Sequence, residues 1–146
     1  MRLTEYTDYS LRVLIYLAVN RESVTTIQEI ADTYGISKNH LVKVAHNLGR
    51  LGFVTTGRGR GGGIRLGREP ETIRIGDLVR KVETDFKLAE CFDVETNGCV
   101  ISAECIYKTA LTLAHAAFFN VLDEYTLADL VRNELALRKR FRIRAT

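Results

Sequence analysis

The chain has 146 residues and a mass of 16.5 kDa, is 46% hydrophobic and 27% charged, and carries a formal net charge of +3. That length suits one compact domain, or a small domain with an appended helical arm, and no apolar run is long enough to span a membrane. Charge is segregated along the chain. From Thr33 to Arg68 there is no acidic residue against seven basic ones, from Glu69 to Val131 twelve acidic residues face five basic ones, and Arg138, Lys139, Arg140, Arg142 and Arg144 form a second basic block. A region laid against phosphates leaves this footprint, although a charge run by itself also describes an ordinary solvated surface.

The first predicted helix takes Thr7 as its N-cap and places Leu11, Leu14, Ile15 and Ala18 on one face. A second opens at the capping box Thr26-Ile27-Gln28-Glu29 and stops at Gly35, a residue free to adopt the left-handed conformation. A third opens at Ser37, turns Leu41, Val44, Ala45 and Leu48 to the core, and ends near Gly52. Two short helices about a single turn outline a helix-turn-helix. Beyond Gly52 the period changes from helix to strand: Phe53 to Thr56 and Ile64 to Leu66 flank a loop of glycine and arginine, which makes a hairpin or wing. Ile73, Ile75, Leu78, Val79 and Val82 mark another helix, and Asp85 to Glu104 reads as a loop. A long helix follows from about Ala103 to Glu124. Its predicted stripe is Leu111, Ala114, Phe118, Leu122 and Tyr125, and Leu113, Ala117 and Val121 widen that stripe enough to cover a second subunit. Thr126 caps a short last helix before the basic tail.

The fold class that results is mainly α with a small β-hairpin: a winged helix-turn-helix over residues 1–83, a loop over 84–105 and a C-terminal helical arm over 103–146. Opposite its core face the third helix presents Asn39, Lys43, His46, Asn47 and Arg50, donors without a carboxylate among them. Asn can bridge an adenine edge, Arg and Lys can donate to guanine, and cations anchor phosphates, so the face suits double-stranded DNA. Ser37, Lys38, Asn39 and His40 would lead into the major groove. Gly57 to Gly62 matches G-x-G-x-x-G, but Ile64 to Gly67 continues as strand where a dinucleotide-binding helix should begin, so nucleotide binding is rejected. Arg58 and Arg60 are read instead as wing residues for phosphate or minor-groove contact. His40, His46 and His115 have no evident nucleophile partner, and the chain is not expected to be an enzyme.

All three cysteines, Cys91, Cys99 and Cys105, fall within fifteen residues of the loop. An odd number cannot all pair internally and no signal peptide is read, so free thiols in the cytoplasm are expected rather than a disulfide scaffold. Their setting beside Asp93, Glu95 and Asn97 is not core composition. Thiolates are natural ligands for an iron-sulfur centre, and C-x7-C-x5-C is no zinc-finger signature, although spacing alone leaves zinc open.

Leu3-Thr4-Glu5-Tyr6-Thr7-Asp8-Tyr9-Ser10-Leu11-Arg12, Gly62 to Gly67, Ile73 to Asp77 and Tyr125 to Leu130 together resemble the bacterial winged-helix regulators that bind an iron-sulfur cluster through three cysteines, and the similarity runs through almost the whole chain. The resemblance implies a homodimer with crossing C-terminal helices, a 4Fe-4S cluster with 2Fe-2S as the alternative, and Cys91, Cys99 and Cys105 as ligands. Asp8 of the other subunit would complete the set; an acid in the first turn of a helix is also favourable without any metal. The family branch that regulates cluster assembly has a histidine three residues after its third cysteine, whereas this chain has Lys108, so the resemblance points to the branch that represses transcription and responds to nitric oxide. Seven residues between Cys91 and Cys99 exceed the spacing expected of the family. The alternatives are a redox-sensing 2Fe-2S regulator, a zinc-stabilised DNA-binding protein and an electron-transfer protein.

Overall fold

The computed structural model describes residues 2–57 and 62–143, and the predicted wing residues Arg58 and Arg60 lie outside them. Helix α1 (Glu5–Val19) is N-capped by Thr4, whose hydroxyl accepts from the Thr7 amide. The cap is therefore one turn earlier than predicted, and Thr7 is a fully buried residue of the first turn. Helix α2 (Ile27–Tyr34) has the predicted capping box at Thr26 and ends at Gly35, where φ is +64°. Helix α3 (Lys38–Arg50) follows directly, with Leu41, Val44, Ala45 and Leu48 buried as its periodicity requires. Strands β1 (Val54–Thr56) and β2 (Ile64–Leu66) pair antiparallel with Val54 opposite Leu66, and Thr25 adds a single bridge to Ile64.

Helix α4 (Ile75–Val82) closes one core in which Val13, Leu14 and Leu17 of α1 meet the apolar face of α3, Phe53, Leu78 and Val79. Removing each such large side chain from water contributes about 1.5–3 kcal/mol, which fixes how α1 supports α3. A long connection with one 3-10 turn at Glu90–Phe92 leads to α5 (Ile106–Glu124), then α6 (Leu127–Leu130) and α7 (Glu134–Phe141).

Two features of the C-terminal arm differ from expectation. The inward face of α5 is centred on Phe119, 6% exposed, and flanked by His115 and Phe118, whereas Ala114 and Tyr125 of the predicted stripe are exposed. Phe86 from the connecting loop selects that face by packing edge-on against Phe119 and tilted against His115, with ring centroids 5.0 and 5.7 Å away. The start of the basic block is helical and returns to the domain: Phe141 packs on Tyr16 and Tyr34, and Arg138 donates to the Val19 carbonyl at 2.9 Å.

Candidate DNA interface and cysteine loop

Ser37, Lys38, Asn39 and His40 are exposed together at the start of α3. Lys38 there shares an open hollow of about 500 Å³ with Thr26 and Gln28 at the start of α2 and with Thr56, Gly57, Gly62 and Gly63 at the base of the wing. The N-terminal ends of two helices thus meet the hairpin; α2 is closed by its Thr26 capping box, whereas α3 has no side-chain cap, and its first amides favour anionic groups. The sequence singles out Lys38 by its position at the start of the third helix, whereas Thr26, Gln28 and Thr56 belong to other elements and become its neighbours only on folding.

Lys43, His46, Asn47 and Arg50 line a different groove, between α3, α4 and the start of α1, together with Tyr6, Val42, Lys81 and Thr84. Within it Arg50 donates to Asn47 Oδ1 at 3.0 Å, so that amide oxygen is already engaged. Lys81 was not singled out in the sequence because it sits on another helix. His40 stacks on Tyr9 with centroids 6.4 Å apart, and Tyr6 donates its hydroxyl proton to the Lys43 carbonyl at 3.3 Å. Both contacts tie α1 to α3. Asn39 is exposed at the start of α3, and it is the residue from which the sequence predicts direct base readout. Asn39→Ala is expected to relax base preference at one position by about 1–3 kcal/mol in a selection from randomised duplexes, and an unchanged preference would remove it from that role.

On α1 the half-exposed Asp8 carboxylate pairs with Arg12 at 2.8 Å. The Arg12 guanidinium also lies over the rings of Tyr9 and Tyr34, 5.9 and 5.7 Å from their centroids. Asp8 is thus held at the surface by a cation rather than buried in its own domain.

Cys91, Cys99 and Cys105 are free and half-buried. Cys105 is the N-cap of α5, its Sγ accepting from the Lys108 amide at 3.4 Å, and Cys99 donates its amide to Asn97 Oδ1 at 3.1 Å. Lys87 pairs with Asp93 across the loop, and this lowers the Asp93 carboxyl pKa. Among the described residues no three His, Cys, Asp or Glu side chains are gathered as a metal site. A cluster takes its thiolates on separate irons, so its donors stand further apart than those of one ion. Three free thiols on one connecting segment have the donor chemistry that such a centre uses.

Residues 3–133 match the Rrf2 family, described as iron-dependent transcriptional regulators. The chain is 58% identical over 140 residues to the HTH-type transcriptional regulator NsrR of Bacillus subtilis, covering 95% of this chain and 96% of that protein. Among solved structures it resembles T. potens IscR, with a TM-score of 0.73 and 27% identity over 91% of this chain and 88% of that one. It also resembles CymR, the global cysteine regulator of B. subtilis, with a TM-score of 0.70 and 28% identity over 89% and 95% of the two chains.

Proposed function

The chain belongs to the Rrf2 family of transcriptional regulators, and on that footing we propose that it represses transcription as a homodimer on operator DNA, holds an iron-sulfur cluster, and is released when nitric oxide attacks that cluster. The observation that carries this reading is the placement of the three thiols. They occupy the one long connection between the DNA-binding unit and α5, and the third is itself the first residue of that helix's cap. A change in the ligation state of this loop acts on α5 at one end and on α4 at the other.

Cys91, Cys99 and Cys105 would hold the cluster, and Asp8 of a second copy would supply the non-cysteine ligand. When bound, the cluster supplies iron that a small diatomic molecule can attack. Everything else falls to the chain. Arg12 orients Asp8, Tyr6 and Tyr9 pass the position of α1 to α3, and Ser37 to His40 enter the major groove with successive half-sites about 34 Å apart. The apolar residues of α5 that its own domain leaves exposed, Ile106, Tyr107, Leu113 and Val121, would pair with those of the second copy. No helix among the described residues is long and apolar enough to cross a membrane.

Gel shifts with protein purified anaerobically, stripped of iron, or treated with nitric oxide test the reading. Tight operator binding is expected for the first form alone, and equal affinity in all three would overturn it. Asp8→Ala should leave a cluster of altered visible spectrum and faster decay. An unaffected spectrum would return Asp8 to pairing with Arg12 and the α1 dipole.

A further inference from the structure

The end of α5 is clamped to α4 by a set of contacts, from Arg74 before its first turn to Arg80 in its last, that the DNA-contacting residues and the cysteine loop do not use. Asp123 sits in the last turn of α5, where an acidic side chain opposes that helix's own dipole. It is held there by Arg80 of α4, which donates to both carboxylate oxygens at 2.7 Å. Arg80 is in turn fixed by its guanidinium lying 4.3 Å from the ring centroid of Phe119, the buried anchor of α5. The fork geometry leaves both partners little angular freedom.

Gly76 makes room for this pair. It lies in the first turn of α4, and a Cβ there would stand 1.8 Å from Asp123 Oδ1, so any larger residue must expel the carboxylate. The adjoining backbone repeats the junction: Arg74 donates to the Asp123 carbonyl at 2.7 Å, Ile75 to the Tyr125 carbonyl at 2.9 Å, and the Leu127 amide to the Ile73 carbonyl at 2.8 Å. Among the described residues the first turn of α5 makes no such bonds to α4, and it carries the exposed Ile106 and Tyr107. The helix is therefore an arm fixed at one joint and free along the face that a second copy would cover.

We propose that the Arg80–Asp123 clamp over Gly76 sets the angle between the DNA-binding domain and α5, and so determines which half-site separation the protein accepts. This rests on the reading of the chain as a dimer on operator DNA. The physical demand is strict, because adding one base pair shifts a half-site by about 3.4 Å and rotates it by about 34° around the duplex. A rigid joint rejects that displacement and a loose one follows it. Arg80, Asp123 and Gly76 touch no DNA in this arrangement, so they act as positioning residues.

The test uses the full chain purified anaerobically and duplexes bearing two copies of the half-site that it selects from a randomised pool, at the selected separation and with one or two base pairs added or removed. Wild type is expected to lose about tenfold in affinity per base pair of displacement, the scale of one mismatch. Asp123→Asn, which keeps the shape over Gly76 but loses the charged fork, should flatten that profile to about twofold, and Gly76→Ala and Arg80→Lys should do the same. Affinity for a single half-site and dimer mass in solution should not change. A sharp wild-type optimum that all three variants retain overturns the clamp alone, even if they melt at lower temperature. A wild type with no preferred separation overturns the clamp together with the dimeric reading.

Discussion

Cys105→Ser is expected to give a folded chain that no longer retains an iron-sulfur cluster and whose affinity for its operator falls toward the sequence-independent level, about a thousandfold or more. The substitution separates two roles that coincide at one residue. As the N-cap of α5, Cys105 accepts from the Lys108 amide, and serine is a better cap than cysteine for that purpose. Loss of the thiolate should therefore not weaken α5, and the thermal midpoint of the iron-free chain should stay the same or rise slightly. As a ligand the serine hydroxyl is a poor substitute, since thiolate is the donor that such centres are built on. Iron and sulfide content, visible absorbance, gel shift and circular dichroism melting of one preparation decide the matter. Retained iron with undiminished operator affinity would remove Cys105 from the ligand set, and lost iron with undiminished affinity would break the link between cluster and DNA.

What could be read from the sequence follows the range of the interactions involved. The helix-turn-helix was legible because its signals are local: Thr26 and Glu29 cap α2 within four residues, and Gly35 supplies the left-handed turn. The hairpin was legible for the same reason. The start of α1 was misplaced because the choice of Thr4 over Thr7 is made by Glu83, 79 positions from Thr4. The inward face of α5 was read only in part, Phe118 and Leu122 turning inward but Ala114 and Tyr125 outward, because that helix is apolar on more than one side and a periodicity cannot say which side Phe86 will cover. Basic residues near the C-terminus looked like a solvated tail. The packing of Phe141 against Tyr16 and Tyr34 makes part of that segment a helix seated on the domain. At the proposed DNA face the sequence offered the start of α3, while the residues of α2, β1 and α4 that line the same hollows belong to other elements. The clamp at Asp123 was equally hidden, since nothing local marks an acid at the end of one helix as the partner of an arginine on another.

Glu83→Ala is expected to destabilise the iron-free chain by about 2–4 kcal/mol, because it leaves buried donors without an acceptor. The carboxylate is 6% exposed and takes three protons on one oxygen: from the Thr4 amide at 2.8 Å, the Thr4 hydroxyl at 3.0 Å and the Thr7 hydroxyl at 2.8 Å. Its other oxygen accepts from the Thr84 amide at 3.1 Å. Thr4 caps α1 and Thr84 begins the cysteine loop, so one side chain joins the helix that carries Asp8 to the segment that carries the thiols. Burial pushes the Glu83 pKa up, but the hydrogen bonds from Thr4, Thr7 and Thr84 outweigh it and hold the group below its ordinary value. A carboxyl with a folded-state pKa below its unfolded one adds stability above the unfolded pKa and loses it as pH falls through the folded one. Glu83→Gln keeps the shape and removes that charge, and its amide nitrogen would face the Thr84 amide, donor against donor. Its deficit against wild type should be full near neutral pH and shrink as pH falls from the unfolded-state pKa through the folded-state one, as measured by urea unfolding across pH. A deficit independent of pH would mean that the charge of Glu83 contributes nothing and that the donor-against-donor contact at Thr84 accounts for the loss. If the bond is also the mechanical link from loop to helix, Glu83→Gln should narrow the difference in operator affinity between iron-loaded and iron-free protein, because α1, through Tyr6 on Lys43 and Tyr9 on His40, would no longer follow the loop.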